Sequence, residues 1–327
     1  MNRPGPKNAL TDVAGLTVGH AEHATWPTGA TVVVAEAPVV AAADQRGGAP
    51  GTRELALLEP GCLVERVDAV VLAGGSAYGL AAADGVVDRL AAAGRGFAVG
   101  PARVPIVPAL ILFDLGLGPP ERATAAYAEL GARAFDRRSD AVGLGNVGAG
   151  RGATCGGLKA GIGTASIKDT PSGATVAALA AVNAAGAAVI PGTATLWAWL
   201  YEQAGEFGGQ VPPTGPIPAE VEIAGLTGQN TTLVVVATDA ALDRGGAKRL
   251  AIMAQDGLAR AVRPVHTPFD GDTVVALASG RGGPVDPVGL ARLGAHAADV
   301  TARAIARGVV EATASDGVPA YRDRRGG

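Results

Sequence analysis

The stretch GQNTTLVVVATDAAL, residues 228–242, places a polar Gln-Asn-Thr-Thr cluster directly before the apolar run 233–236. A short apolar run bounded by turn residues predicts a buried strand. Asn and Thr are ordinary turn and strand-start residues, so in one interpretation Asn230 and Thr231 only begin the strand. In the other, Thr231 is a nucleophile inside the chain, exposed when the peptide bond before it breaks. Other motifs of the sequence distinguish between these two interpretations.

Apolar periodicity around this stretch predicts an α/β protein. Strands are predicted at 28–38, 67–75, 104–113 and 272–279, with glycine-rich strands between 158 and 188, and helices at 78–94, 120–134, 244–262 and 286–310. Residues 202–230 hold much Gly and Pro and no helical period, which predicts a long connection that ends at Asn230.

Composition limits the class of protein. The chain has 327 residues, of which 48% are hydrophobic and 17% charged, so it can bury a large core. A net charge of -3 supplies no basic stripe, which argues against nucleic acid as a partner. No apolar segment is typical of a signal peptide or a membrane span, so a cytoplasmic protein that does not enter the membrane is expected.

Cysteine and glycine usage narrow the class further. Two cysteines, Cys62 and Cys155, without a Cys/His cluster predict buried thiols, no disulfide scaffold and no metal site. The 49 glycines are concentrated in clusters such as 143–152 and 156–163, where small residues let backbones approach each other or a ligand closely.

Two segments resemble known functional motifs but lack the sequence features that those motifs require. GLGNVG, residues 143–148, fits G-x-G-x-x-G, but no apolar strand precedes it and the segment that follows is too rich in glycine for the required helix. No nucleotide or other cofactor is therefore predicted. VVLAGGSAYGL, residues 70–80, resembles a nucleophile elbow but has Tyr78 where the motif needs glycine.

Several polar residues stand where an ordinary fold does not need them. Lys159 lies in a nearly apolar glycine-rich segment, which indicates an anionic partner or a substrate contact. Asn183 lies in an apolar strand and must be hydrogen-bonded or serve as a donor. Asp270 and Asp272 either share one face or flank a glycine turn, and His266 is either a base or, as we favour, a structural histidine.

Five ordered motifs together resemble the self-processing aminopeptidases of the D-aminopeptidase and β-peptidyl aminopeptidase type. They are RGGAPGTRE (46–54), LAGGSAYGL (72–80), GNVGAGRGA (145–153), LKAGIG (158–163) and NTT (230–232), and they span nearly the whole chain. The threonine, with HTPFDGDT (266–273) downstream, is most similar to the nylon-oligomer hydrolase branch.

The resemblance implies a four-layer αββα sandwich formed by residues 1–327 as one domain. It also implies cleavage between Asn230 and Thr231 into fragments 1–230 and 231–327 that stay together, and a tetramer of processed protomers.

The resemblance also implies roles for individual residues. Thr231 would be the nucleophile, Asn183 the oxyanion-stabilising amide, Lys159 the active-site lysine, and Asp270 and Asp272 the acidic pair near the nucleophile. Phe113 and Tyr78 are expected at the substrate pocket, with Phe113 standing where the family often has tyrosine.

The activity that the resemblance implies is hydrolysis of short peptides, β-peptides or 6-aminohexanoate oligomers. One alternative is acyl transfer, as in the ornithine acetyltransferases, in which an amine rather than water accepts the acyl group. Another alternative is a glycine-rich binding protein without catalytic activity, in which Thr231 only starts a strand.

Overall fold

The structure is a computed structural model that describes residues 3–117, 123–217, 221 and 230–324. Within these ranges the chain forms thirteen strands, β1 (Leu16–Glu22), β2 (Gly29–Gln45), β3 (Thr52–Arg53), β4 (Arg66–Ala73), β5 (Phe97–Val99), β6 (Ala102–Val104), β7 (Ala109–Ile111), β8 (Thr154–Cys155), β9 (Leu158–Lys159), β10 (Ile162–Lys168), β11 (Thr175–Asn183), β12 (Thr231–Ala241) and β13 (Thr273–Pro284). The α-helices are α1 (Ala82–Ala92), α2 (Thr124–Asp136), α3 (Arg244–Ala261), α4 (Pro287–Val310) and α5 (Tyr321–Arg324).

The nine-stranded sheet has the order β10-β11-β12-β13-β2-β4-β7-β3, and β1 pairs with β2. The pairs β12–β13 and β4–β7 are parallel, and the other pairs are antiparallel. The long strand β2 joins the two halves of the sheet, because residues 40–45 pair with β13 while residues 30–34 pair with β4. Strand β12 lies inside the sheet, between β11 and β13.

Alternating side chains of the central strands divide the interior into layers. Val234 and Val236 of β12 pack with the apolar faces of α3 and α4, while Leu233 and Val235 point to the opposite side and pack with Leu72 of β4. The preceding residue of β4, Val71, packs in a third cluster with side chains of α1 and α2. The two halves of the sheet therefore face each other and each carries helices on its outer side, so the predicted αββα architecture is confirmed.

The helices begin where the sequence supplies caps. Asp243 accepts a hydrogen bond from the Gly246 N–H at 2.7 Å at the start of α3, and Asp286 accepts one from the Gly289 N–H at 2.6 Å at the start of α4. Such caps satisfy amide groups that a helix leaves unpaired and contribute about 1 kcal/mol each.

Glycine explains how a chain with 4% aromatics fills its interior. A Cβ on Gly163 of β10 would lie 1.9 Å from the Ala304 carbonyl oxygen of α4, and a Cβ on Gly257 of α3 would lie 2.3 Å from the Ala298 carbonyl oxygen of α4. The elements therefore approach to backbone contact, and alanine and valine suffice to fill the space between them.

Some sequence predictions need correction. The predicted strand 104–113 is interrupted: Val104 ends β6 and only Ala109–Ile111 form β7, because Pro105 and Pro108 lack the N–H that a ladder requires. Cys155 is buried as predicted, but Cys62 is exposed in a surface turn. Of the predicted connection 202–230, residues 202–217 contain neither strand nor α-helix, and most of the remainder lies outside the described residues.

Within the described ranges, no helix combines the length and the apolar character needed to cross a membrane.

Candidate active site

Thr231 is the first residue of β12 and is almost completely buried. On one side it pairs in register with Asn183, the last residue of β11. On the other side, Asn230 forms a parallel bridge with Asp270, just before β13 begins. The topology therefore brings together the start of one central strand, the end of its neighbour and the loop before a third.

The Thr231 hydroxyl lies against the peptide bond that precedes it. It donates a hydrogen bond to the Asn230 carbonyl oxygen and accepts one from the Gly271 N–H at 3.1 Å. The same Gly271 N–H is 3.2 Å from the Asn230 carbonyl oxygen. One backbone donor therefore holds both the hydroxyl and the carbonyl group next to it.

Asp272 is buried and accepts three hydrogen bonds. The Thr232 N–H donates to its Oδ1 at 2.8 Å, the His266 N–H donates to its Oδ2 at 3.1 Å, and His266 Nδ1 lies 2.8 Å from the same Oδ2. Buried carboxylates require such partners. Asp272 thus fixes the backbone immediately after Thr231, and His266 has a definite carboxylate partner.

Asp270 is buried beside it. Its Oδ2 accepts hydrogen bonds from the Thr267 N–H at 2.9 Å and the Thr267 hydroxyl at 2.6 Å, and its Oδ1 accepts one from the Ala185 N–H at 3.3 Å. Burial, followed by the nearby charge of Asp272, raises the pKa of the Asp270 carboxyl above its ordinary value. The loop that carries the two carboxylates is therefore not an isolated turn, because it contacts the start of β12.

Both ends of the Asn183 amide are engaged. Its Oδ1 accepts a hydrogen bond from the Thr154 N–H at 3.0 Å, and its Nδ2 donates to the Phe113 carbonyl oxygen at 3.0 Å. These bonds fix the amide beside Thr231. The sequence-based expectation that this amide is hydrogen-bonded is met.

Lys159 is completely buried in the short ribbon formed by β8 and β9, where it pairs with Thr154. Its Nζ donates to the Arg151 carbonyl oxygen at 2.9 Å and lies 3.9 Å from Oδ2 of Asp316. Burial lowers the pKa of Lys159 to about 8, and the Asp316 carboxylate opposes that effect. The predicted anionic neighbour is present, 157 positions further along the sequence.

A cavity of about 330 Å³ opens beside these residues. Phe113, Leu117, Val318 and Pro319 supply apolar parts of its lining, and Asn183 and Asn230 supply amides. Its size is at the lower end of the range for ligand pockets. Tyr78, also expected at a pocket, is 43% exposed and lies outside this lining.

Sequence reasoning missed three contributors to this site: the Gly271 N–H, the Thr154 N–H and the Arg151–Asp316 ion pair at 2.7 Å. Backbone donors carry no side-chain signal. The ion pair joins residues 165 positions apart, so spacing along the sequence gives no signal for it. Among the described residues, no group of three or more His, Cys, Asp or Glu could hold a metal ion.

The glycine-rich segment 46–51 supports the acidic loop through backbone contacts. The Arg46 N–H donates to the Asp272 carbonyl oxygen at 3.0 Å, and the Ala49 N–H donates to the Asp270 carbonyl oxygen at 2.8 Å. A Cβ on Gly47 would lie 2.2 Å from the Asp270 carbonyl oxygen, so any side chain there must displace the loop.

We therefore expect Gly47→Ala to destabilise the protein by roughly 1–3 kcal/mol, because the backbone around Asp270 and Asp272 must shift. Denaturant unfolding measures this change in the free energy of unfolding. Gly215→Ala is the matched control, since a Cβ there would meet nothing within 4 Å. Equal stabilities for the two variants would show that the contact with the acidic loop has no energetic weight.

Solved structures share this fold. A β-aminopeptidase of a Burkholderia species matches with a TM-score of 0.71 and 24% identity, over 97% of this chain and 91% of its own. An L-aminopeptidase D-Ala-esterase/amidase of Ochrobactrum anthropi, described as a new variant among the Ntn hydrolase fold, matches with a TM-score of 0.69 and 21% identity, over 95% and 88% of the two chains. The fold is therefore that of the Ntn-hydrolase-type aminopeptidases.

Sequence comparison gives the family. The sequence model of peptidase family S58 matches residues 8–322. An uncharacterized aminopeptidase of Mycobacterium tuberculosis is 45% identical in an alignment of 343 positions that covers 97% of each chain. A 6-aminohexanoate-oligomer endohydrolase of Paenarthrobacter ureafaciens is 29% identical in an alignment of 286 positions that covers 81% of this chain and 73% of its own. The chain belongs to peptidase family S58, and it is an amide-bond hydrolase of the aminopeptidase type.

Proposed function

We propose that the chain cleaves itself between Asn230 and Thr231 and then hydrolyses small peptide-like amides with Thr231 as an N-terminal nucleophile. The observation that carries this proposal is the contact of the buried Thr231 hydroxyl with the Asn230 carbonyl oxygen, under the shared Gly271 N–H. An ordinary strand start does not require its hydroxyl to lie against the preceding peptide group.

The cleavage step follows from this contact. The Thr231 Oγ1 attacks the Asn230 carbonyl carbon, and the bond from that carbon to the Thr231 nitrogen breaks as the nitrogen takes up the proton that the hydroxyl releases. The acyl group has then moved from nitrogen to oxygen as an ester, which water hydrolyses. The Gly271 N–H, 3.2 Å from the Asn230 oxygen, is placed to stabilise the negative charge that develops on it.

Cleavage supplies the base that catalysis needs. A hydroxyl is a weak nucleophile near neutral pH, and a free Thr231 α-amine with an ordinary pKa of about 8 is partly neutral there and close to its own hydroxyl. Attack on the substrate amide forms a tetrahedral oxyanion, for which Asn183 is the proposed donor. One such donor contributes roughly 3 kcal/mol. Water then releases the acyl group from Thr231.

Asp270 and Asp272 are proposed to hold the terminus in position. Asp270→Asn and Asp272→Asn keep the side-chain size but remove the charge, so we expect kcat/KM of the processed enzyme to fall at least about tenfold, roughly 1.4 kcal/mol of transition-state stabilisation. The processed fraction is scored separately by mass spectrometry, because an uncut variant is inactive for another reason.

The control for the acidic pair is Asp239→Asn. Asp239 lies in β12, the strand that begins at Thr231, and accepts a hydrogen bond from the Thr175 N–H of β11 at 2.8 Å, away from the site. Wild-type kcat/KM in both processed site variants would assign Asp270 and Asp272 to the fold alone.

The proposed substrates are short peptides, β-peptides or 6-aminohexanoate oligomers. The cavity volume and the names of the relatives support this class of small amides. A panel of such amides tests it, and added ornithine distinguishes hydrolysis from acyl transfer because it would capture the acyl group from Thr231. The tetramer of processed protomers and the cytoplasmic location stay predictions, and light scattering at micromolar concentration checks the assembly.

A further inference from the structure

A tight turn lies at the rim of the candidate active site. Ser315 and Val318 exchange backbone hydrogen bonds at 3.2 and 3.0 Å, and the two residues between them have left-handed backbones, with φ of 56° at Asp316 and 78° at Gly317. A two-residue turn with two positive φ angles favours Asp-Gly, which is the sequence found. We call residues 315–318 the rim turn.

The residues that flank the rim turn are hydrogen-bonded to segments that are distant in sequence. The Asn146 side-chain amide donates to the Thr313 carbonyl oxygen at 2.8 Å and accepts from the Thr313 N–H at 2.9 Å. The Lys159 N–H donates to the Pro319 carbonyl oxygen at 2.8 Å. Gly317, Val318 and Pro319 line the cavity, so the rim turn is a fixed part of its wall.

The position of Asp316 on this turn sets the charges around Lys159. The Asp316 Oδ2 lies 2.7 Å from an Arg151 nitrogen and 3.9 Å from Lys159 Nζ. The charged groups that act on the Lys159 ammonium are Asp316, Arg151 and Asp114, of which Arg151 opposes the ammonium and the two carboxylates favour it. A buried ammonium without a carboxylate neighbour would lose its proton more readily.

We infer that Asp316 is a positioning residue that keeps Lys159 protonated beside the cavity, and that Arg151 limits how strongly it does so. This inference rests on the proposed function, in which Lys159 belongs to the active site. Lys159 pairs with Thr154 in the ribbon of β8 and β9, and the Thr154 N–H donates to Asn183, the proposed oxyanion donor. In the proposed function, a positive charge on Lys159 favours the negative charge that develops on the substrate. Burial lowers the pKa of Lys159 to about 8, so its charge changes at mildly alkaline pH.

The two partners predict shifts of opposite sign. Asp316→Asn removes the carboxylate that favours the ammonium, so the pKa of Lys159 falls and the alkaline limb of kcat/KM moves to lower pH by roughly one unit. Asn tolerates the left-handed backbone, so the rim turn is kept. Arg151→Gln removes a positive neighbour, so the alkaline limb moves to higher pH. Asp140→Asn, in an exposed pair with Lys7, is the control that leaves the limb in place.

A direct titration separates this inference from the proposed function. The chain contains four lysines, so protein carrying ¹³C-labelled lysine gives four Cε signals by nuclear magnetic resonance, and Lys159→Met identifies the one from Lys159. The titration uses the uncut Thr231→Ala background, in which neither cleavage nor turnover contributes.

The outcomes are distinct. A Lys159 midpoint that falls in Asp316→Asn and rises in Arg151→Gln, with matching shifts of the alkaline limb in the processed enzymes, supports the inference. Midpoints that stay at the wild-type value, or move in the same direction in both variants, overturn it while the proposed function stands. Opposite midpoint shifts with an unmoved alkaline limb also overturn it, because Lys159 would then be tuned without affecting the reaction. A wild-type chain that never cleaves contradicts the proposed function itself.

Discussion

Thr231→Ala is expected to leave the chain as one uncut band on a denaturing gel and to abolish amide hydrolysis. The substitution removes the hydroxyl that lies against the Asn230 carbonyl oxygen, so neither the first attack nor the later turnover has a nucleophile. Thr231→Ser keeps a hydroxyl and should cleave slowly. Gel analysis and an amide-hydrolysis assay on the same preparations measure both effects.

The adjacent threonine gives a matched control. Thr232 is equally buried, and Thr232→Ala removes the same atoms, but its hydroxyl has no hydrogen-bond partner in the described part of the chain. We expect Thr232→Ala to cleave and to remain active, since its backbone N–H still reaches Asp272. Normal cleavage of Thr231→Ala would rule out Thr231 as the processing nucleophile.

Glu206→Gln is expected to destabilise the protein by about 3–5 kcal/mol. Arg303 of α4 is fully buried and donates to both carboxylate oxygens of Glu206, at 2.5 and 3.0 Å. Asn8 bridges the same pair, donating to Glu206 at 2.7 Å and accepting from Arg303 at 2.8 Å. Removing the carboxylate charge leaves the buried guanidinium uncompensated.

Denaturant unfolding on the uncut Thr231→Ala background measures this effect without fragment dissociation. Glu129→Gln is the control, because the Glu129 side chain is 72% exposed and its carboxylate lies as far as 4.0 Å from the Arg133 guanidinium. We expect this substitution to change the free energy of unfolding by no more than about 0.5 kcal/mol. Similar small effects in both variants would show that the buried pair contributes little net free energy to the stability of the fold.

The same cluster bears on how the fragments would stay associated. Asn8 and Glu206 precede the proposed cleavage site, and Arg303 follows it. The apolar strands of the small fragment also pair with the large one, β12 with β11 and β13 with β2. In the processed wild type, this network would be an interface between two polypeptides.

The sequence reveals the central strand and some of its polar neighbours for clear physical reasons. An apolar run of branched residues predicts β12, and a lysine or an asparagine in a nearly apolar segment indicates a buried polar contact, as found at Lys159 and Asn183. The four-layer arrangement follows from the resemblance and not from periodicity, because alternation along a strand does not say which helices cover each face.

Other features depend on contacts between distant residues. The ion pair of Arg151 with Asp316 and the support of the Asp270 loop by Gly47 arise only when the topology is known. His266 was ambiguous because its partner Asp272 lies six positions away in an irregular loop, where spacing does not fix side-chain geometry. The strand predicted to end at Phe113 is shorter in the structure, because prolines lack the N–H groups that a ladder of hydrogen bonds requires.

The first residue of the small fragment tests the central claim most directly. Intact-mass spectrometry and N-terminal sequencing of the purified wild-type protein should find two associated polypeptides, 1–230 and 231–327, with the smaller one beginning Thr-Thr-Leu-Val-Val. An active chain that stays intact, or a small fragment that begins at any residue other than Thr231, would contradict the account.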